Sequence, residues 1–342
     1  MRAYLLQKHG KPAALQLSEL PDPQPGPGQV RIAIEAIGLN YSEIQSRKGL
    51  YGWSPKMPYV LGMEAYGRID LLGPEVTDWR SGDRVIVATQ YGTYAEKIVL
   101  PQEQVLPALP EFSAEENAAF AVNYMTAWVA LFELARARPT DTVLIQAAAG
   151  GVGTAAVQLA KKYGCTVFGT VGFDEKMERV RQLGIDGAIN YRRSDFSAEV
   201  RRLNNGRGVD IVLEVVGGEI FRRSMELLNP FGRVAVMGFA SLDLKKWKPF
   251  SWYWTWRDIP RVNISQMAEK SRSVGASHLG YLLNDLPRMK ELWNSLTAYV
   301  SETGIRPVVG HYFRFDEAPR AHELMESGRS VGKIILKLDT DQ

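Results

Sequence analysis

An α/β fold built on a doubly wound parallel sheet is what this chain predicts, and three observations carry that prediction. From about Pro139 onward, strand-like and helix-like segments alternate. The first strand of that series runs into a glycine-rich loop that opens a helix. The 342 residues suffice for two domains, taking ~100–200 residues per domain, and the first part of the chain is β-rich.

Residues 1–110 read as short strands and turns. VRIAIEAIGL (30–39) and DRVIVA (83–88) alternate apolar and polar side chains, and PDPQPGPG (21–28) punctuates. Then follow TVLIQAA (142–148), a helix over 151–163, TVFGT (166–170), a helix over 174–183 and GAINY (187–191). DIVLEVVG (210–217), a helix near 219–228 and GRVAVMG (232–238) continue the rhythm. Strands separated by single helices specify parallel pairing with right-handed crossovers. A helix near 287–303 and the strand GKIILKL (332–338) close the chain.

Composition excludes several classes. With 45% hydrophobic and 23% charged residues the chain is an ordinary globular protein, neither disordered nor coiled coil. Forty-one basic against 38 acidic residues leave a charge of +3 spread along the chain, which gives no footprint for nucleic acid. One cysteine, Cys165, cannot form an internal disulfide, an all-Cys zinc site or a CxxC pair, and it reads as a buried, inert thiol. No apolar run approaches the ~18 residues of a membrane span, and MRAYLLQKHGKPAAL is too short in apolar length for a signal peptide, so the expected address is cytoplasmic.

AAAGGVG (147–153) follows a strand and opens a helix, the context in which G-x-G-x-x-G binds a dinucleotide. Ala148, Gly150 and Gly153 fill its three places. Gly150 would admit the pyrophosphate, Gly153 would let helix and strand pack closely, and the helix N-terminus would supply donors. About 20 residues further on, an NAD site presents an acid to the ribose. Here stands Gly169-Thr170-Val171-Gly172, with Lys176, Arg192 and Arg193 near, which favours NADPH. Asp174 is the opposing feature, read either as a ribose ligand or as a helix N-cap.

GLNYSEIQSRKGLY (38–51), PYVLGMEAYGRI (58–69), TAWVAL (126–131), AAAGGVGTAAVQLAK (147–161), GTVGFDEK (169–176) and GKIIL (332–336) together resemble the zinc-independent quinone oxidoreductase branch of the medium-chain dehydrogenase/reductase superfamily. GRVAVMGFASL (232–242) and SHLGYL (277–282) are most similar to its vesicle amine transport protein subgroup. The resemblance implies a Rossmann-type sheet, residues 123–284, inserted into a GroES-like, partly open β-barrel domain, residues 1–122 and 285–342. It places Asn40 and Met63 where zinc-dependent relatives have Cys and His ligands, so no metal site is expected, and Glu64 becomes a structural acceptor. It also implies cofactor contacts at Thr126, Ala149, Gly150, Gly151, Val152, Gly153, Gly172, Lys176, Tyr191, Gly238, Phe239 and Arg329.

Without a metal, hydrogen-bond donors must support charge on the acceptor oxygen. Asn40 and Tyr51 match positions that line the substrate cleft in the family and are the candidate catalytic residues. The alternative for each is a polar residue satisfying a loop. No motif gives His9, His278, His311 or His322 a base or ligand partner. The run KKWKPFSWYWTWRDIPR (245–261) reads as a lid or subunit contact rather than a membrane surface. GASHLGYLL (275–283) reads as an edge strand near the two-fold axis of a homodimer. The implied function is reduction of quinones or α,β-unsaturated carbonyls by NADPH; the other reading is a nucleotide-binding interaction protein with little turnover.

Overall fold

The computed structural model describes residues 1–238, 261–282 and 284–338, the Leu282 side chain apart. Phe239 and the aromatic run 250–256 lie outside the described residues. The chain forms β1 (Arg2–Leu6), β2 (Gln16–Glu19), β3 (Gln29–Gly38), α1 (Tyr41–Lys48), β4 (Tyr59–Val60), β5 (Glu64–Leu72), β6 (Arg84–Ala88), β7 (Lys97–Pro101) and β8 (Val105–Pro107). There follow α2 (Ala114–Ala118), α3 (Ala121–Trp128), β9 (Thr142–Ile145), α4 (Gly151–Tyr163), β10 (Thr166–Val171), α5 (Asp174–Arg181), β11 (Gly187–Asn190), α6 (Phe196–Leu203), β12 (Val209–Glu214), α7 (Gly218–Leu227) and β13 (Leu228–Val236). The remaining described elements are α8 (Ile264–Glu269), β14 (Ser273–Ala276), α9 (Leu279–Leu282), α10 (Leu286–Thr303), β15 (Val309–Arg314), α11 (Ala318–Glu326) and β16 (Lys333–Lys337).

Two units divide these elements. The first holds Met1–Asn123, Gly280–Ser295 and Arg306–Gln342, and the second Tyr124–Leu279 and Leu296–Ile305. Helix α10 is therefore shared: its second half belongs to the second unit, where Tyr299 packs edge-on against Trp128 at 5.6 Å and its hydroxyl donates to Leu159 O.

In the first unit β3 is the organising strand. Its alternation puts Val30, Ile32, Ile34 and Ala36 inside, and it pairs antiparallel with β5, with β7 over its first half and with β16 over its second. The resulting sheet runs β15-β16-β3-β5-β6-β8, and a smaller one runs β2-β1-β4.

The second unit is a six-stranded sheet, β11-β10-β9-β12-β13-β14, with every neighbouring pair parallel. Val143, Leu144 and Ile145 of β9 and Ile211, Val212 and Leu213 of β12 are fully buried, as strands covered on both faces must be. Helix α4 lays Ala155, Ala156 and Ala160 on the sheet and stops at Gly164, whose φ of 98° is left-handed.

The edge-strand expectation for 275–283 needs correction. Strand β14 ends at Ala276, and Leu279–Leu282 is helical. Glycine weakens a strand, and Gly280 packs close to Trp53, where an added Cβ would stand 2.4 Å from the ring.

Candidate functional site

The nucleotide half begins where β9 ends. The chain turns through Ala147, φ 53°, and Gly150 caps α4. The first helical bond runs from Thr154 N–H to Gly150 O. The N–H groups of Gly151, Val152 and Gly153 thus stand at the helix start, where backbone donors face outward. A Cβ on Gly153 would lie 2.3 Å from Ala147 O, so only glycine permits this approach. A Cβ on Gly150 would meet only Ala147 O, at 3.4 Å, which leaves room above it. Ala149 is buried beneath, and Thr126 is buried on α3.

A second feature lies at the end of β10. The Cβ position of Gly172 is 3.0 Å from the Tyr191 hydroxyl and 3.4 Å from Arg192 Nε, which brings these three residues together. Lys176 is half-buried; burial first, and the neighbouring Arg192 second, push its ammonium down to about 8. Arg192 stacks over Phe173 at 4.2 Å, and Arg193 pairs with Asp174 at 2.6 Å. Asp174 also accepts from Asn190 Nδ2 at 2.6 Å. Its carboxylate is engaged, and Phe173, not Asp174, is the N-cap of α5, so the N-cap reading of Asp174 is corrected by one residue. What this corner presents is cationic and phenolic, the chemistry of a phosphate site. Gly238 stands beside the loop after β12, its Cβ position 3.7 Å from Val215 O. Arg329 is exposed beyond α11, in the other unit.

The remaining candidate residues lie around α1, in the first unit. Asn40 precedes the helix, and Glu43 reaches back to accept its N–H at 3.0 Å. The Asn40 side chain is fully occupied: Nδ2 donates to Glu64 at 3.1 Å and to Gly38 O at 3.3 Å, while Oδ1 accepts from Lys333 Nζ at 2.8 Å. These bonds are those of a polar residue satisfying its surroundings, the alternative role weighed for Asn40. Glu64, fully buried, also accepts from Lys333 and from Val122 N–H at 3.0 Å. It is the structural acceptor the sequence suggested. Among the described residues no three His, Cys, Asp or Glu side chains cluster closely enough to hold a metal ion.

Tyr51 stays a candidate donor. Burial raises its phenol above the ordinary value, against the opposing effect of its hydrogen bond with Ser42, so the group keeps its proton. Its ring meets Trp53 edge-on at 6.5 Å, and Trp53 meets Tyr281 at 6.1 Å.

Sequence reasoning missed a buried network behind Glu43. Arg47 Nε donates to His322 Nδ1 at 3.3 Å, the His322 Nε2 and Tyr94 hydroxyl are 3.0 Å apart, and Tyr94 donates to Glu43 at 2.7 Å. Because Nδ1 accepts and the Tyr94 proton goes to Glu43, Nε2 must carry the imidazole proton. Burial, then the Arg47 cation, push His322 down to about 3; burial pushes Glu43 up to about 7 against the bonds it accepts. The one legible signal was the spacing Asn40-x-x-Glu43, a helix-start signature.

A dinucleotide-binding α/β unit inserted into a β unit of GroES-like type defines a medium-chain dehydrogenase/reductase. Family models agree: the alcohol dehydrogenase GroES-like domain matches residues 26–111 and the zinc-binding dehydrogenase domain matches residues 151–295. The synaptic vesicle membrane protein VAT-1 homolog of Rattus norvegicus is 34% identical over 316 residues, 92% of this chain and 78% of that protein. The quinone oxidoreductase of Rattus norvegicus is 30% identical over 342 residues, 99% of this chain and 98% of that protein. Among solved structures, the human VAT-1 homolog-like protein has a TM-score of 0.85 at 29% identity, covering 100% of this chain and 99% of that one. The Escherichia coli quinone oxidoreductase, solved in complex with NADPH, has a TM-score of 0.86 at 28% identity, covering 98% and 100%. The chain belongs to the superfamily's quinone oxidoreductase-like group, together with the VAT-1 homologues, and that family is one of oxidoreductases.

Proposed function

We propose that the protein is an NADPH-dependent, zinc-independent reductase of quinones or α,β-unsaturated carbonyl compounds. The carrying observation is the corner formed by Gly172, Lys176, Tyr191 and Arg192 at the end of β10, which takes a 2′-phosphate where an NAD site would present a carboxylate. Its Escherichia coli relative, solved with NADPH, supports the same reading. When bound, the cofactor supplies a hydride to the acceptor carbon. The chain's own residues do the rest. Helix α4 holds the pyrophosphate, and Lys176 and Tyr191 select the phosphorylated ribose. Tyr51, kept protonated by burial, donates a hydrogen bond to the acceptor oxygen as the electron pair arrives there. Asn40, Lys333 and Glu64 fix the start of α1 and so the placement of that site.

Following NADPH and NADH oxidation against a panel of ortho-quinones and enones tests this, with zinc analysis of the purified protein alongside. Turnover with NADPH preferred, undiminished by chelator, is the expected result. NADPH binding without oxidation across the panel would instead support the second reading, a nucleotide-binding interaction protein, which the 34% identity to a synaptic vesicle membrane protein homolog favours.

A further inference from the structure

Strand order in the six-stranded sheet reverses between β9 and β12. In doubly wound sheets the dinucleotide lies across the crevice at that switch point. The loop after β9 borders it on one side, and residues 215–217, after β12, on the other. With the adenosine end over β10, the nicotinamide end must cross to the β12 side.

A ladder of buried polar groups runs beneath this crevice from one loop to the other. Ala147 N–H donates to Thr170 Oγ1 at 3.3 Å, and that hydroxyl donates to Gln146 Oε1 at 2.6 Å. Gln146 Nε2 donates to Ser224 Oγ on α7 at 3.0 Å, and Ser224 approaches Glu214 Oε2 at 3.5 Å. The other Glu214 oxygen accepts from Val216 N–H at 2.5 Å and Gly217 N–H at 2.9 Å. Thr170, Gln146, Ser224 and Glu214 are each at most 2% exposed. An apolar core would fill this space as well, so four buried polar side chains in register with the two loops need a reason.

We propose that Gln146 is a positioning residue for the dinucleotide: through Thr170 on one side and Ser224 and Glu214 on the other, it fixes the glycine loop relative to loop 215–217, the gap the nicotinamide half must span. The proposal rests on the NADPH reading. Its consequence is an affinity loss confined to the part of the cofactor that crosses the switch point. Ligands that stop at the glycine loop and Lys176 do not use that spacing.

The double variant Gln146→Met with Ser224→Ala removes both partners of the central bond and also takes the acceptor from the Thr170 hydroxyl, a stability cost that does not distinguish the two ligands compared below. NADPH affinity, read by fluorescence, and 2′,5′-ADP affinity, read by calorimetry, are compared with wild type. NADPH should weaken about tenfold, the loss of one such bond, while 2′,5′-ADP changes by less than about twofold. Unchanged NADPH affinity, or equal losses for both ligands, overturns the proposal. If the double variant does not fold, Ser224→Ala alone is read by the same split. Wild-type protein that binds neither ligand overturns the NADPH reading itself, and this inference with it.

Discussion

His322 and Glu43 hold opposite ends of one hydrogen-bonded line, and their titrations oppose each other in the stability of the fold. An unfolded histidine takes its proton near pH 6.5, whereas buried His322 does so only at about 3. Between those values the unfolded chain holds one proton more than the native state, so stability falls as pH falls, by about 1.4 kcal/mol per pH unit. Taken over the whole window this amounts to roughly 5 kcal/mol. Glu43 runs the other way: the native carboxyl keeps its proton up to about 7, against 4.5 unfolded. Between 4.5 and 7 the native state holds the extra proton, and stability falls as pH rises, again by about 1.4 kcal/mol per unit. From 4.5 to 6.5 the two contributions cancel. Below 4.5 only the histidine acts. Glu43→Gln should therefore expose a loss of about 1.4 kcal/mol per unit on acidification from pH 6.5 to 4.5, beyond the wild-type slope. His322→Asn, which keeps an acceptor for Arg47, should show a gain of the same size over that range. Urea unfolding at half-unit pH intervals measures both, and groups common to all three proteins drop out of the comparison. Identical slopes in Glu43→Gln and wild type would refute the assignment of a shared proton count to this pair.

Three other predictions are independent of that pair. Lys176→Ala should cost NADPH binding ~1.5–3 kcal/mol while NADH binding barely changes, and Tyr191→Phe should show the same bias more weakly. Because the free ammonium titrates at about 8, wild-type NADPH affinity should decline above that pH; equal losses of both cofactors would make Lys176 a fold residue. Lys333→Met leaves the Glu64 carboxylate buried without its cation and should destabilise by about 3–5 kcal/mol, with much of this recovered by adding Glu64→Gln; denaturant midpoints decide. Strand β14 ends the described sheet, and a homodimer across it is proposed: light scattering at micromolar concentration should give twice the chain mass, Val274→Lys should lower it, and a monomeric wild type would refute the proposal.

The second unit was legible because its signals are local. Each strand and helix there carries its own periodicity, and the glycine loop lies within seven residues, so β9 to β13 fall close to their expected places. The surroundings of α1 in the first unit were much less so. The type and place of Asn40 suggested a donor, but its hydrogen bond from Lys333, 293 residues away in sequence, could not be read there. Nothing in a strand reading GKIILKL announces that its first lysine is buried. His322 and Arg47 are likewise 275 residues apart, and Asp174 looked like a cap because FDEK does not show that Arg193 will occupy its carboxylate. Over 279–282 the strand pattern was broken by Gly280, which packs close to the Trp53 ring, a distant group the sequence does not show.

The shared helix α10 and the late strand β16 also dictate an order of events during synthesis. Domains ordinarily fold in the order they leave the ribosome. Here the N-terminal unit emerges first but cannot finish first: β3 waits for β16, and the Glu64 carboxylate waits for the Lys333 ammonium, 269 residues behind it. The second unit, whose strands lie between Thr142 and Ala276 and whose last helix segment ends by Ile305, is complete while its host is still open. The inserted piece is thus finished before the outer piece that surrounds it in sequence, and protease resistance of chains stalled at increasing length should appear in that inside-out order.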